Sequence, residues 1–383
     1  MNFSRSSALK VILPSLLFAI ICGCGPKDGL REIREGRAAF EAGDYKKAEK
    51  LYLRAAKYNP LNADAPLLLA ELRLRQGELN AAKLAIAKAE QLAANDADVR
   101  LLGAQISWHA NDYVRAEKLF TSVAEDLSLS AEIRSQGFAG LGVVEMTCDE
   151  HELARVAFLK ALRLDRRNAA AWYHLGQLYR FEPYGYNEAA LDQLEIFVRL
   201  NAVASPRVQK TQRVIIPALK DLIARATAER PGVAKRNSNA CADALAKADA
   251  SWRKGSYKTA CKQYQEALDL DPLSYPAALG LARAIDKTDS SGEGKDRALT
   301  NYRLACALRP SAVSTCLEAG RLAEGMRFYA QAREIYSRAV AANPASLDAV
   351  DGLIRALRKT GANSRVVRAY QSYRDSLPRK KKK

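Results

Sequence analysis

The amino-acid sequence predicts an all-α protein, a solenoid of stacked helix hairpins, and three observations carry that prediction. Alanine recurs at Ala48, Ala82 and Ala116, 34 residues apart, then at Ala154, Ala190, Ala260, Ala298 and Ala332, with Val366 in the equivalent place. Around each anchor one pattern returns: an aromatic or leucine four residues on, a small residue three further, and often proline after five more. The first copy reads Gly43-Asp44-Tyr45, Ala48, Tyr52, Ala55, Pro60 and the sixth reads Gly255-Ser256-Tyr257, Ala260, Tyr264, Ala267, Pro272. The composition agrees, at 48% apolar and only 7% aromatic residues. Alanine and leucine carry the apolar share, which favours closely packed helices over sheet. A fixed period of this length marks a repeat architecture.

At the N-terminus, Arg5 and Lys10 precede an apolar stretch from Val11 to Ile21 and small residues around Gly23, the layout of a secretory signal. The stretch is short for a bilayer span. The sequence Ile21-Cys22-Gly23-Cys24 resembles the bacterial lipobox, with Cys24 as the modified cysteine. The resemblance implies cleavage after residue 23 and acylation of Cys24. Several acyl chains hold a protein on a membrane where one gives marginal binding. Gly25 after Cys24, rather than Asp, resembles an outer-membrane address if the cell is Gram-negative.

The repeated pattern divides the rest into nine units, at about 29–62, 63–96, 97–130, 135–168, 169–203, 241–274, 275–312, 313–346 and 347–377. Gly36, Gly142, Gly176 and Gly320 are expected where a first helix crosses its second helix at the alanine, a place where added bulk overpacks. Proline ends the second helix by removing a donor and clashing backward. Extra residues near 131–134, at Glu182 to Asn187 and at Thr288 to Arg297 are expected in turns, where length costs little. Gly292-Glu293-Gly294 reads as a turn rather than a phosphate cradle. The interval from Ala190 to Ala260 spans two periods, but its middle lacks the pattern. Residues 206–228 read as a helix started or kinked by Pro206 and Pro217, followed by a polar linker from Glu229 to Asn239. The domain organisation is therefore a signal at 1–23, an N-terminal array of about five units at 24–204, a connecting helix and linker at 205–240, a C-terminal array of about four units at 241–377, and a basic tail at 378–383. In the last unit Val366 and Tyr373 replace alanines, as expected of a cap.

The fifth unit supplies Trp172-x2-Leu175-Gly176-x2-Tyr179, which resembles the first helix of the tetratricopeptide repeat at every signature place. That resemblance implies a right-handed superhelix with first helices lining a concave peptide-binding groove. Carried onto this chain, the family's groove positions fall on Phe40, Trp108, Tyr173, Arg180 and Phe181 in the N-terminal array. In the C-terminal array they fall on Trp252, Arg253, Arg283, Lys287, Arg321, Arg355 and Arg358. Two readings stand for the second groove: a clamp for an acidic or carboxylate-ended peptide, with arginine engaging carboxylate bidentately, or a solvated face whose charges compensate. Trp108 and Trp252 are either peptide anchors or packing residues for the adjoining unit.

The formal charge is +17, from 60 Lys and Arg against 43 Asp and Glu, but apart from the run Arg379 to Lys383 the charges are scattered. Scattered charge fits an ordinary basic surface, and with a secreted location no nucleic-acid partner is expected. The three histidines, His109, His151 and His174, lie in different units, and none falls in a cluster of metal-ligand spacing. No Walker-type phosphate loop and no Gly-x-Ser-x-Gly elbow occurs. The sequence thus points away from catalysis, with no metal and no cofactor expected. Cys306 and Cys316 flank the turn at Pro310 and stand either as a disulfide or as two small buried hydrophobes. The resulting expectation is a lipid-anchored scaffold on the periplasmic side of a bacterial envelope that binds other proteins or peptides, acidic ones among them. The alternative is binding of an anionic polymer or lipid headgroup through the basic C-terminal array.

Overall fold

A computed structural model describes residues 28–181, 186–201 and 205–378. The signal, Cys24 and the basic tail expected from the sequence lie outside the described residues. Among the described residues the chain is all-α, with no strand. By packing it groups into two units, Met1–Val144 and Glu145–Lys383. The segment 205–240 therefore lies within the second unit.

In the first unit the hairpins are α1 (Leu30–Glu41) with α2 (Tyr45–Tyr58), α3 (Asp64–Arg75) with α4 (Leu79–Ala93), and α5 (Ala97–His109) with α6 (Tyr113–Ala124). Helix α7 (Ala131–Thr147) follows and contains the division. The second unit runs through α8 (His151–Leu164), α9 (Ala169–Phe181) and α10 (Asn187–Leu200). It continues through α11 (Pro206–Lys210), a π-helical turn (Thr211–Ile215) and α12 (Ile216–Ala228). Four more hairpins complete it: α13 (Ser238–Arg253) with α14 (Tyr257–Leu270), α15 (Tyr275–Thr288) with α16 (Gly292–Leu308), α17 (Val313–Gly325) with α18 (Tyr329–Ala342), and α19 (Leu347–Lys359) with α20 (Ser364–Ser376).

The recurring alanines explain the stack. Ala48, Ala82, Ala116, Ala154, Ala190, Ala260, Ala298 and Ala332 are all 0% exposed, so each is sealed inside the stack. The hairpin turn has its own chemistry. Position φ is positive at Gly43, Gly77, Gly255 and Gly361, and also at Asn111, Asp149 and Arg327, the same place in each turn. The following amide bonds back over the helix end, as Asp44 N to Ala39 O at 2.9 Å and Phe328 N to Ala323 O at 2.8 Å do. This is the glycine-favouring C-terminal motif in which a left-handed residue satisfies orphaned carbonyls. Side-chain caps then start many of the next helices, as where Asp44 accepts from Lys47 N and Asp112 from Arg115 N.

Three expectations are corrected. The glycines of the first helices admit the aromatic or leucine of the second helix, not its alanine. A Cβ on Gly36 would sit 2.5 Å from the Tyr52 ring, one on Gly320 2.5 Å from the Tyr336 ring, and one on Gly176 2.8 Å from Leu194. Gly140 does the same against Phe120 in the first unit. Small alanines leave room to spare, whereas a ring laid across a helix requires that its backbone be bare. Second, two of the three insertions lengthen helices rather than turns, while residues 182–185 of the one at Glu182 to Asn187 lie outside the described residues. Residues 131–134 open α7, where Ser130 Oγ accepts from Ile133 N. Gly292 to Arg297 open α16 behind the cap Ser291, so Gly292-Glu293-Gly294 is a helix start. Third, α20 is not a free cap, because it packs against α8.

The connecting segment folds as expected of its prolines. Pro206 sits at the first position of α11 behind the Ser205 cap. The π-helical turn precedes Pro217, where a wider turn accommodates the ring and missing donor that disrupt an ordinary helix. Cys306 and Cys316 are joined as a disulfide between α16 and α17.

Candidate peptide-binding groove

In the second unit, Tyr173, His174, Gln177 and Phe181 recur along one face of α9 at helical spacing. With Met146, His151 and Leu178 they line a cavity of about 390 Å³. Its character is apolar with few polar groups, as ligand pockets are. Phe181 is 68% exposed, and Arg180 lies over its ring at 4.8 Å. Tyr173 packs against Phe197, the rings tilted at 54°, and carries the Arg207 guanidinium 5.1 Å above its ring. His174 stacks on Phe158 at 5.9 Å. Burial, aided by the Arg207 charge, pushes its imidazole down to about 4, so His174 is neutral at pH 7. His174 Nδ1 and Gln177 Nε2 have no hydrogen-bond partner among the described residues, while Gln177 Oε1 accepts from Arg180 at 3.4 Å. A buried amide donor without an acceptor is costly, and a peptide carbonyl is one group that would satisfy it.

The C-terminal groove positions form an alternating charge ladder. Arg283 on α15 engages Glu318 on α17 with two hydrogen bonds, at 2.9 and 2.5 Å, and Arg355 on α19 engages Glu324 on α17 likewise, at 3.1 and 2.9 Å. These pairings raise both guanidinium pKa values further. The buried tyrosines of the second helices complete the ladder. Tyr302 bonds Glu318, Tyr336 donates to Glu324 at 2.7 Å, and Tyr264 donates to Asp249 at 2.6 Å. Arg321, Lys287 and Arg358 are exposed and have no partner among the described residues. Arg321 lies one helical turn from both Glu318 and Glu324 on α17, so it is the unneutralised centre of the ladder. Arg253 donates to the Asp249 carbonyl at 3.2 Å.

The remaining positions pack. Phe40 lies against the Tyr45 ring at 5.5 Å and Trp252 against Tyr257 at 4.8 Å; Trp108 rests on the core beneath α5 and α6. Phe40 and Trp108 belong to the first unit and Tyr173 through Arg358 to the second. Sequence reasoning missed Glu318 as the acceptor for Arg283, although an acid next to a groove arginine in the following hairpin is its signal.

Among the described residues no group of His, Cys, Asp and Glu is placed to hold a metal ion. None of the described helices is long and apolar enough to cross a membrane. Stacked helix hairpins of this kind define a helical-repeat scaffold for protein interaction. More particularly, the chain carries tetratricopeptide repeats: the tetratricopeptide repeat family matches residues 39–106, and a second tetratricopeptide repeat description matches residues 245–272. Among solved structures the chain is similar to the pilF product of Pseudomonas aeruginosa, at 21% identity over 53% of this chain and 93% of that one, with a TM-score of 0.42. It is similar to PilW, a type IV pilus biogenesis factor, at 15% identity over 54% and 96% of the two chains, with a TM-score of 0.43. It is also similar to MamA from Desulfovibrio magneticus RS-1, at 15% identity over 46% and 97%, with a TM-score of 0.38. Comparison with curated proteins gives no match.

Proposed function

We propose that this protein is a non-catalytic scaffold, tethered by a lipidated Cys24 to the periplasmic side of a bacterial envelope, that gathers partner proteins through its first-helix face. The observation that carries the reading is the α9 site. There an exposed Phe181, a neutral His174 and an unpartnered Gln177 amide surround an apolar cavity. Such a site suits an extended peptide with an apolar side chain and a free backbone carbonyl. The tether rests on the residues from Arg5 to Cys24, and the disulfide is of a kind that oxidising compartments preserve. The self-paired Arg283 and Arg355 favour a peptide over an anionic polymer, because two of the groove cations are already neutralised.

The test is capture from solubilised envelopes with the tagged full-length chain. Wild type is expected to retain a defined set of proteins, and Phe181→Ala or Arg321→Glu to lose members of that set with helicity unchanged. Identical capture by both variants contradicts the reading. A polymer-binding protein would instead lose its ligand steeply between about 50 and 200 mM salt. For the tether, Cys24→Ala is expected to leave an unlipidated precursor, and normal acylation of that variant would refute it.

A further inference from the structure

The second unit turns back on itself through its second helices. Helices α8, α18 and α20, with Tyr186 at the start of α10, meet although they are more than 140 residues apart in sequence or belong to different hairpins. Arg155 donates to Ser337 Oγ at 3.2 Å, Arg333 to Glu152 Oε1 at 3.1 Å, and the Tyr370 hydroxyl to Glu152 Oε2 at 2.7 Å. Arg365 pairs with Glu145 at 2.7 Å, Lys160 reaches Ser372 at 3.0 Å, and Arg163 donates to the Ser376 carbonyl at 2.9 Å. The guanidiniums of Arg155 and Arg338 both lie over the Tyr186 ring, at 5.7 and 5.8 Å. Arg155 is only 2% exposed. Burial pushes the Glu152 carboxyl up, yet Arg155, Tyr370 and Arg333 together hold it below the usual carboxylate range.

Two features set this closure apart from the seams inside hairpins. Those seams are made by alanines with no exposure and by buried rings, whereas the contacts across the closure named above are ionic, hydrogen-bonded or cation–π. For buried ion pairs the desolvation cost nearly offsets the attraction, so the pair adds little to stability while intact. In addition, α20 packs on α8 about as extensively as on its own hairpin partner α19, while other hairpins of the unit hold their second helix far more closely. The connector between the two halves contains the π-helical turn at Thr211–Ile215 and, beyond α12, Gly232 at φ 82°.

We propose that α20 is a detachable latch: the clasp around Glu152 holds the back of α8 against α18 and α20, and its release lets these faces part while each hairpin stays folded. Hydrogen–deuterium exchange on the full chain tests it. Glu152→Gln removes the carboxylate that Arg155 and Arg333 share. The loss of a buried pair predicts exchange roughly a hundred-fold faster in α8 and α20 together, with α13 to α16 at wild-type rates. Arg365→Ala removes a half-exposed cation and is expected to give a smaller rise in the same helices, as is about 1 M salt on the wild type. Wild-type exchange of α20 in both variants would overturn the proposal. So would acceleration spread evenly through α13 to α19, which would make the closure part of one cooperative core.

Discussion

Tyr336 provides a measurable case of the packing that spaces the hairpins. Its ring lies between two bare helix backbones: a Cβ on Gly320 would stand 2.5 Å from it, and one on Gly352 2.4 Å. The ring cannot back away, because it is 1% exposed and its hydroxyl is tied to Glu324 at 2.7 Å. Gly320→Ala therefore overpacks, at about 1–3 kcal/mol and toward the upper end because the ring is held on both sides. Alanine also gains about 1 kcal/mol of helix propensity over glycine. The net expectation is a loss of about 1–2 kcal/mol. Gly325 lies in the same helix with nothing within 4 Å of its would-be Cβ, so Gly325→Ala should be neutral or stabilising by up to about 1 kcal/mol. Urea denaturation followed by circular dichroism measures both. Equal midpoints for the two variants, or a Gly320→Ala protein as stable as wild type, would refute the packing argument.

Other outcomes follow from single sites. Arg327 occupies the left-handed turn position that glycine fills elsewhere, so Arg327→Gly should stabilise by about 1 kcal/mol in the same denaturation experiment. His174 has its folded pKa depressed to about 4 from 6.5, so the unfolded chain binds the extra proton first. Its contribution is complete above pH 6.5 and is lost as pH falls from there through 4, by up to about 3 kcal/mol. Comparing wild type with His174→Phe at pH 7 and 5 checks this; an equal pH dependence in both contradicts it. Reducing the Cys306–Cys316 bridge, which closes a short loop, should cost about 2–3 kcal/mol, read as a lowered melting temperature that Cys306→Ser with Cys316→Ser reproduces.

The hairpins were legible because their register is written in local residues. Ala48 through Ala332 mark the crossings, and Gly43 or Gly255 mark the turns. The same grammar could not say which ring each bare glycine receives, since Gly352 and Gly320 share Tyr336 across a hairpin boundary. Nor did it show that Ser291 would turn a Gly-rich stretch into a helix start. The groove positions followed from the resemblance, but their pairing did not: Arg283 finds Glu318 35 residues away. The closure was the least readable feature. Its trace is the run Leu153 to Leu162 in α8, buried on nearly every side, where α2 buries only Ala48, Leu51, Tyr52 and Ala55. A helix apolar all round is packed on all sides, yet which distant helix covers it is a property of the folded unit.

Photo-crosslinking in intact cells measures the scaffold role most directly. A photoreactive side chain at position 181 or 321, on the first-helix face, is expected to capture discrete protein adducts, while one at Leu222, exposed on α12, captures none of them. Adducts of equal yield from all three positions, or none from 181 and 321, would contradict the account.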